Sequence, residues 1–143
     1  MGRPESGAVG PVVDLGAVLL WNPGGADPEH PLPKVAVRLR AEGMTALLPE
    51  AVAVNRDGPS LPDFLAGLAE SFAGWEGERR WESLDRDLLL TATHDGRGAV
   101  ALRWEVAPWR GPGTGWRASV VVAVEPGEGM RGLAEDVREV LAG

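Results

Sequence analysis

The chain has 143 residues, 44% of them apolar and 24% charged, and a formal charge of −7. That length and mix fit one globular domain and exclude a disordered chain, because the apolar fraction is enough to offset the entropy of ordering. The acidity argues against nucleic-acid binding, which depends on Lys and Arg displacing counterions, and no segment concentrates the 14 basic residues.

Residues 1–14 read as a loose arm rich in Gly and Pro, and residues 15–143 as a single α+β domain. The run Ala17-Val18-Leu19-Leu20-Trp21, bounded by turn residues, predicts a strand. Asn22 to Pro33 holds four Pro and reads as a loop. Val35, Val37 and Leu39 alternate with Ala36, Arg38 and Arg40, the period-2 signature of a half-buried strand. A turn at Glu42-Gly43 returns the chain as a third strand over Met44–Leu48. Pro49 interrupts it and makes Ala51–Val54 an edge continuation or a bulge.

Ser60 has the chemistry of a helix N-cap, with Asp63 three residues on and Pro62 in the first turn. Leu61, Phe64, Leu65, Leu68 and Phe72 form the apolar stripe of that helix. Trp75 to Trp81 reads as a polar connector. Leu88, Leu90 and Ala92 then alternate with Leu89, Thr91 and Thr93, and Asp95-Gly96 predicts a hairpin into Val100, Leu102, Trp104 and Val106. Trp116, Ala118, Val120, Val122 and Val124 share one face of a last strand, with Trp104 and Trp116 expected in the core. Residues 128–141 predict a closing helix with Met130, Leu133, Val137, Val140 and Leu141 on one side. Three strands, a helix, three strands and a helix imply an antiparallel sheet of about six strands, with both helices packed on one face.

The chemistry-bearing residues are sparse. With no Cys there is no disulfide, no thiolate metal site and no Cys nucleophile, which suits a reducing cytoplasm. No apolar signal segment or membrane span is expected. His30 and His94 lie far apart without metal-ligand spacing, and none of the five Ser has a base beside it in sequence. Gly127-Glu128-Gly129-Met130-Arg131-Gly132 spells a dinucleotide-loop pattern. It lacks the following strand and the downstream ribose-binding acid, and Glu125 and Glu128 would repel phosphate, so it reads as a turn and a helix start. Glu76, Glu78, Glu82, Asp85 and Asp87 are interleaved with Arg79, Arg80 and Arg86, a pattern of ion pairing on a wet surface. No catalytic, cofactor or metal site is expected.

Two groups remain as candidate partner-binding residues. Trp75, Trp81 and Trp109 sit at connectors beside Arg, the composition of interface anchors, with the alternative that they cap the ends of a small core. Arg38, Arg40, Arg103 and Arg117 fall on the polar face of the expected sheet, together with Thr91, Thr93, Glu105 and Ser119, where a carboxylate-bearing partner could meet them. A protein partner or self-association is therefore expected, the alternatives being an oligomeric scaffold and, third, a small carboxylate-dependent enzyme.

Trp75-Glu76-Gly77, Trp81-Glu82-Ser83-Leu84, the Leu88 to Gly96 segment ending in His94-Asp95-Gly96, and Gly98-x-Val100 resemble an uncharacterised family of small actinobacterial proteins defined by a domain of unknown function. The resemblance covers roughly residues 15–142. That family is similar, more distantly, to WapI-type immunity proteins. There a helix leads through a W-x-G-like step to strands joined by a D-x-x-G turn, then to a further strand and a final helix. The resemblance implies an immunity-like module that masks a partner, and it implies no catalytic residue.

Overall fold

The protein is described by a computed structural model that covers residues 10–24, 29, 32–108 and 115–142. Eight strands and two helices are present among them. Strands β1 (Val12–Asp14), β2 (Val18–Trp21), β3 (Lys34–Ala41) and β4 (Met44–Val52) form one antiparallel sheet, each paired with its sequence neighbour. Helix α1 (Leu61–Glu70) comes next. Strands β5 (Glu78–Glu82), β6 (Leu88–His94), β7 (Val100–Val106) and β8 (Ala118–Val124) form a second four-stranded antiparallel sheet, and α2 (Glu128–Ala142) comes last.

The expectation of a single sheet of about six strands with both helices on one face is thereby corrected. Two strands lie where the sequence pattern shows none: β1 at the end of the Gly/Pro-rich arm, and β5 inside the polar connector. The strands also divide between two sheets, one before α1 and one after it. The helices pack on each other, and α2 covers β1, β2 and β3 of the first sheet. The sheets approach where β3 meets β8 and β4 meets β7. One buried cluster runs through all of these elements.

The local physics matches the sequence closely. Ser60 is the N-cap of α1, its Oγ accepting the Asp63 N–H at 3.3 Å. Leu61, Leu65 and Leu68 are buried, whereas Phe72 lies past the helix end and is 62% exposed. In β4 the residues Pro49 and Glu50 oppose a single residue, Ala36, so the chain bulges where proline cannot donate to the ladder. In the second sheet Trp81, Leu90, Trp104 and Val120 stand directly across from one another on the inner face. Trp104 is fully buried as expected. Trp116 is not: it precedes β8 by two residues and is 40% exposed. Met130, Leu133, Val137 and Val140 give α2 its buried stripe. Arg138 reaches across to Asp63 of α1 at 3.0 Å.

Candidate functional site

A cleft of about 960 Å³ opens where the end of β4, the turn after it, the end of β5 with the β5–β6 loop, and the residues just after β7 come together. Asn55 ties two of its walls, donating from Nδ2 to the Glu82 carbonyl at 2.9 Å and accepting the Asp57 N–H at 3.0 Å. Five carboxylates (Glu50, Asp57, Glu82, Asp85 and Asp87) line it against two guanidiniums, Arg56 and Arg86. Lys34 pairs with Glu50 at 3.1 Å and Arg86 with Glu82 at 3.5 Å. Asp57 and Asp85 are exposed and carry no ion pair among the described residues.

Ser83 is the one hydroxyl among the described lining residues, and it is only 2% exposed. Its Oγ donates to Asp87 Oδ1 at 2.5 Å and accepts the backbone N–H groups of Asp87 at 3.2 Å and Leu88 at 3.0 Å. Both lone pairs and the proton are thus committed. A nucleophilic serine needs a base free to take its proton and a lone pair aimed at the substrate; this one clamps the β5–β6 turn instead. The clamp holds Arg86 at φ 61°, the one positive-φ residue other than glycine among those described. Of the acidic run read from the sequence, only Glu82, Asp85 and Asp87 reach the cleft. Glu50 and Asp57 come from other segments, and nothing in their local sequence marks them.

A second cluster gathers the residues that carry the family resemblance. The Trp75 indole N–H donates to the Ala92 carbonyl at 3.3 Å, and its ring meets the edge of His94 at 5.3 Å. Arg79 lies 4.7 Å from the Trp75 ring and donates to Ser71 Oγ at 2.8 Å. His94 Nδ1 accepts the Gly96 N–H at 2.9 Å, so Nε2 carries the hydrogen donated to the Phe72 carbonyl at 3.1 Å. Asp95 Oδ1 accepts the N–H groups of Arg97 at 2.6 Å and Ala99 at 3.0 Å. Those two bonds, Arg97 first, hold its carboxyl below the ordinary 3.8. A Cβ on Gly74, at φ 117°, would come within 3.2 Å of His94. The block is therefore a brace that locks the β6–β7 hairpin to the connector after α1.

A family of unknown function, DUF6228, matches residues 14–143. The chain belongs to DUF6228. No curated protein and no solved structure matches it.

The remaining sequence candidates in this DUF6228 chain separate. Trp81 is 3% exposed and its indole N–H donates to the Pro59 carbonyl at 2.8 Å, so it is a core residue and not a surface anchor. Trp75 is half-buried in the brace, and Trp109 lies outside the described residues, as does His30. Arg38 sits 5.6 Å from the Trp21 ring, and Arg40 donates from Nε to the Gly16 carbonyl at 3.1 Å, both on the first sheet. Arg103 is on β7, and Arg117, just before β8, pairs with Glu105 at 3.2 Å. The single Arg-rich sheet face expected for these four is thus divided between two sheets, and Thr91 on it is buried. In the glycine pattern that spans the start of α2, a Cβ on Gly129 would meet Glu125 Cβ at 2.8 Å. The Met130 N–H is taken by the Glu125 carbonyl. That glycine serves a close chain approach. Among the described residues no three of His, Asp and Glu converge as metal ligands, and no helix is long and apolar enough to cross a membrane.

Proposed function

We propose that the protein is a non-enzymatic binding module whose carboxylate-lined cleft receives a basic, Arg- or Lys-bearing segment of a protein partner. The observation that carries this reading is the cleft's chemistry: three more carboxylates than guanidiniums, and a single hydroxyl already committed to three hydrogen bonds. Charge of one sign in a concave site raises the encounter rate with the opposite sign, and the chain's −7 works in the same direction. A reducing cytoplasm suits a chain without cysteine.

The finer reading is an immunity-like module of an actinobacterium that masks a toxin-like partner. Its support is the order of elements after α1: Trp75-Glu76-Gly77, strands joined by the Asp95 to Gly98 turn, a further strand and α2. A toxin-like reading frame beside the gene would favour it, and an unrelated operon would count against it.

Titration calorimetry tests the cleft directly, with hexa-arginine and hexa-glutamate peptides at low and high salt. The arginine peptide is expected to bind, and the pair Asp57→Lys/Asp85→Lys to weaken it at least tenfold. The control pair Glu135→Lys/Asp136→Lys, on exposed positions of α2, makes the same change in net charge and is expected to have a much smaller effect. Equal losses in the two pairs would show that only overall charge is at work, and no preference between the peptides would overturn the charge-based reading of the cleft.

A further inference from the structure

An open sheet edge invites pairing with another chain, and proteins blunt such edges with charge, proline, bulges or short strands. Three of the four edge strands here are blunted. Strand β1 has three residues and ends in Asp14. Strand β4 carries Pro49, Glu50 and a bulge. Strand β5 is Glu78-Arg79-Arg80-Trp81-Glu82, and pairing it with itself about Arg80 would set Arg80 against Arg80 and Glu78 against Glu82.

Strand β8 has none of these devices. It reads Ala-Ser-Val-Val-Val-Ala-Val, without a charge, a proline or a bulge, and it pairs with β7 alone. Among the described residues its backbone makes no hydrogen bond outside that ladder. Its outer face is exposed at Ser119, Val121 and Ala123, and Val121 is 61% accessible.

We propose that β8 pairs antiparallel with β8 of a second copy of this chain, about a two-fold axis at Val121, so that two four-stranded sheets join into one of eight strands. The charges flanking the strand select this occupant and this register. With Val121 opposite itself, Ser119 falls opposite Ala123, and Arg117 opposite Glu125 of the second copy, at both ends of the pairing. Ser119, Val121 and Ala123 lie on the same outer face, since side chains alternate along a strand. Arg117 and Glu125 flank the strand at exposed positions, Arg117 already pairing within its own chain with Glu105 at 3.2 Å. A two-fold contact must be self-complementary, and this segment is: a basic residue, seven uncharged positions, an acidic residue. Trp116 extends the pattern, falling opposite Pro126, which has no N–H to continue the ladder. One strand pair makes a small interface, so the dimer forms in the micromolar range or above.

Sedimentation velocity across micromolar to millimolar concentrations tests this on the full chain. The mass is expected to rise from 15.1 kDa toward twice that value. Val121→Lys, which sets like charges face to face at the axis, is expected to weaken the dimer at least tenfold. Arg117→Glu and Glu125→Arg should each weaken it. The double exchange should recover most of what either single change loses, because it rebuilds both intermolecular pairs with their signs swapped while giving up the Arg117–Glu105 pair within each chain. Circular dichroism confirms that each variant is folded. A monomer at every concentration, a dimer indifferent to Val121→Lys, or charge reversals that do not compensate each other would overturn the proposal. None of these outcomes depends on the cleft.

Discussion

Trp104 offers the sharpest test of the core. It is fully buried at the centre of the second sheet, between Leu90 on β6 and Val120 on β8. Its indole N–H is the one buried side-chain polar atom among the described residues without a partner. Removing the whole ring with Trp104→Ala should cost about 3–5 kcal/mol, the usual range for deleting a buried aromatic. Trp104→Phe removes three ring atoms, one of them that nitrogen. The two lost carbons cost roughly 1.6 kcal/mol at about 0.8 kcal/mol each. Burying an unpaired donor costs about 1–3 kcal/mol, and phenylalanine has no such donor. The two effects nearly cancel, so Trp104→Phe should lie within about 1.5 kcal/mol of the parent protein. Trp81→Phe gives the contrast. It loses the same carbons together with a real hydrogen bond to Pro59, and should cost about 2–3 kcal/mol. Urea unfolding monitored by far-ultraviolet circular dichroism ranks the three variants. If Trp104→Phe costs as much as Trp81→Phe or more, the Trp104 nitrogen has a partner in solution and the reasoning fails. If Trp104→Ala costs under about 0.5 kcal/mol, the register of β7 is wrong, because a one-residue slip exchanges the faces.

The turns supply two further outcomes. Ser83→Ala removes three hydrogen bonds at once and leaves the buried Asp87 carboxylate and two N–H groups unpaired; urea unfolding should show a loss of about 2–4 kcal/mol, and a loss under about 1 kcal/mol would mean that water replaces the clamp. The lowered folded-state pKa of Asp95 stabilises the protein at pH values above its ordinary 3.8, and that contribution disappears as pH falls through the lower folded value. An NMR titration should therefore place the Asp95 carboxyl midpoint below 3.8, and Asp95→Asn should reduce the steepness of acid unfolding in that window; a midpoint at or above the ordinary value would refute the two backbone bonds.

Local pattern is readable wherever one face of an element is apolar. The hairpin from Leu88 to Val106, the N-cap at Ser60 and the stripe of α2 all come from spacing and capping chemistry. Strand β5 escapes because only Trp81 of its five residues is buried, so charge hides the alternation. Strand β1 escapes because three residues between Gly and Pro neighbours carry too short a period. The division into two sheets is illegible for a different reason: alternation tells which side chains face inward, not which strand lies beside which. Placing Trp81 among surface anchors fails on the same point, since its burial depends on Leu90 and on the Pro59 carbonyl, both distant in sequence. The cleft draws its acids from β4, the turn after it, the end of β5 and the β5–β6 loop, so no single stretch announces it.

The docking of α2 on β1, β2 and β3 bears on how the chain is made. The helix is synthesised after everything it covers, and Asn22 at the end of β2 donates to the Val140 carbonyl near the far end of that helix. Until α2 has left the ribosome, the first sheet presents Val18, Leu20 and Val37 without that cover. Vectorial folding from the amino terminus therefore cannot finish half by half. The nascent polypeptide must hold an unshielded apolar sheet through most of its translation, and cutting it after α1 should yield two fragments that aggregate alone and recover structure only when mixed.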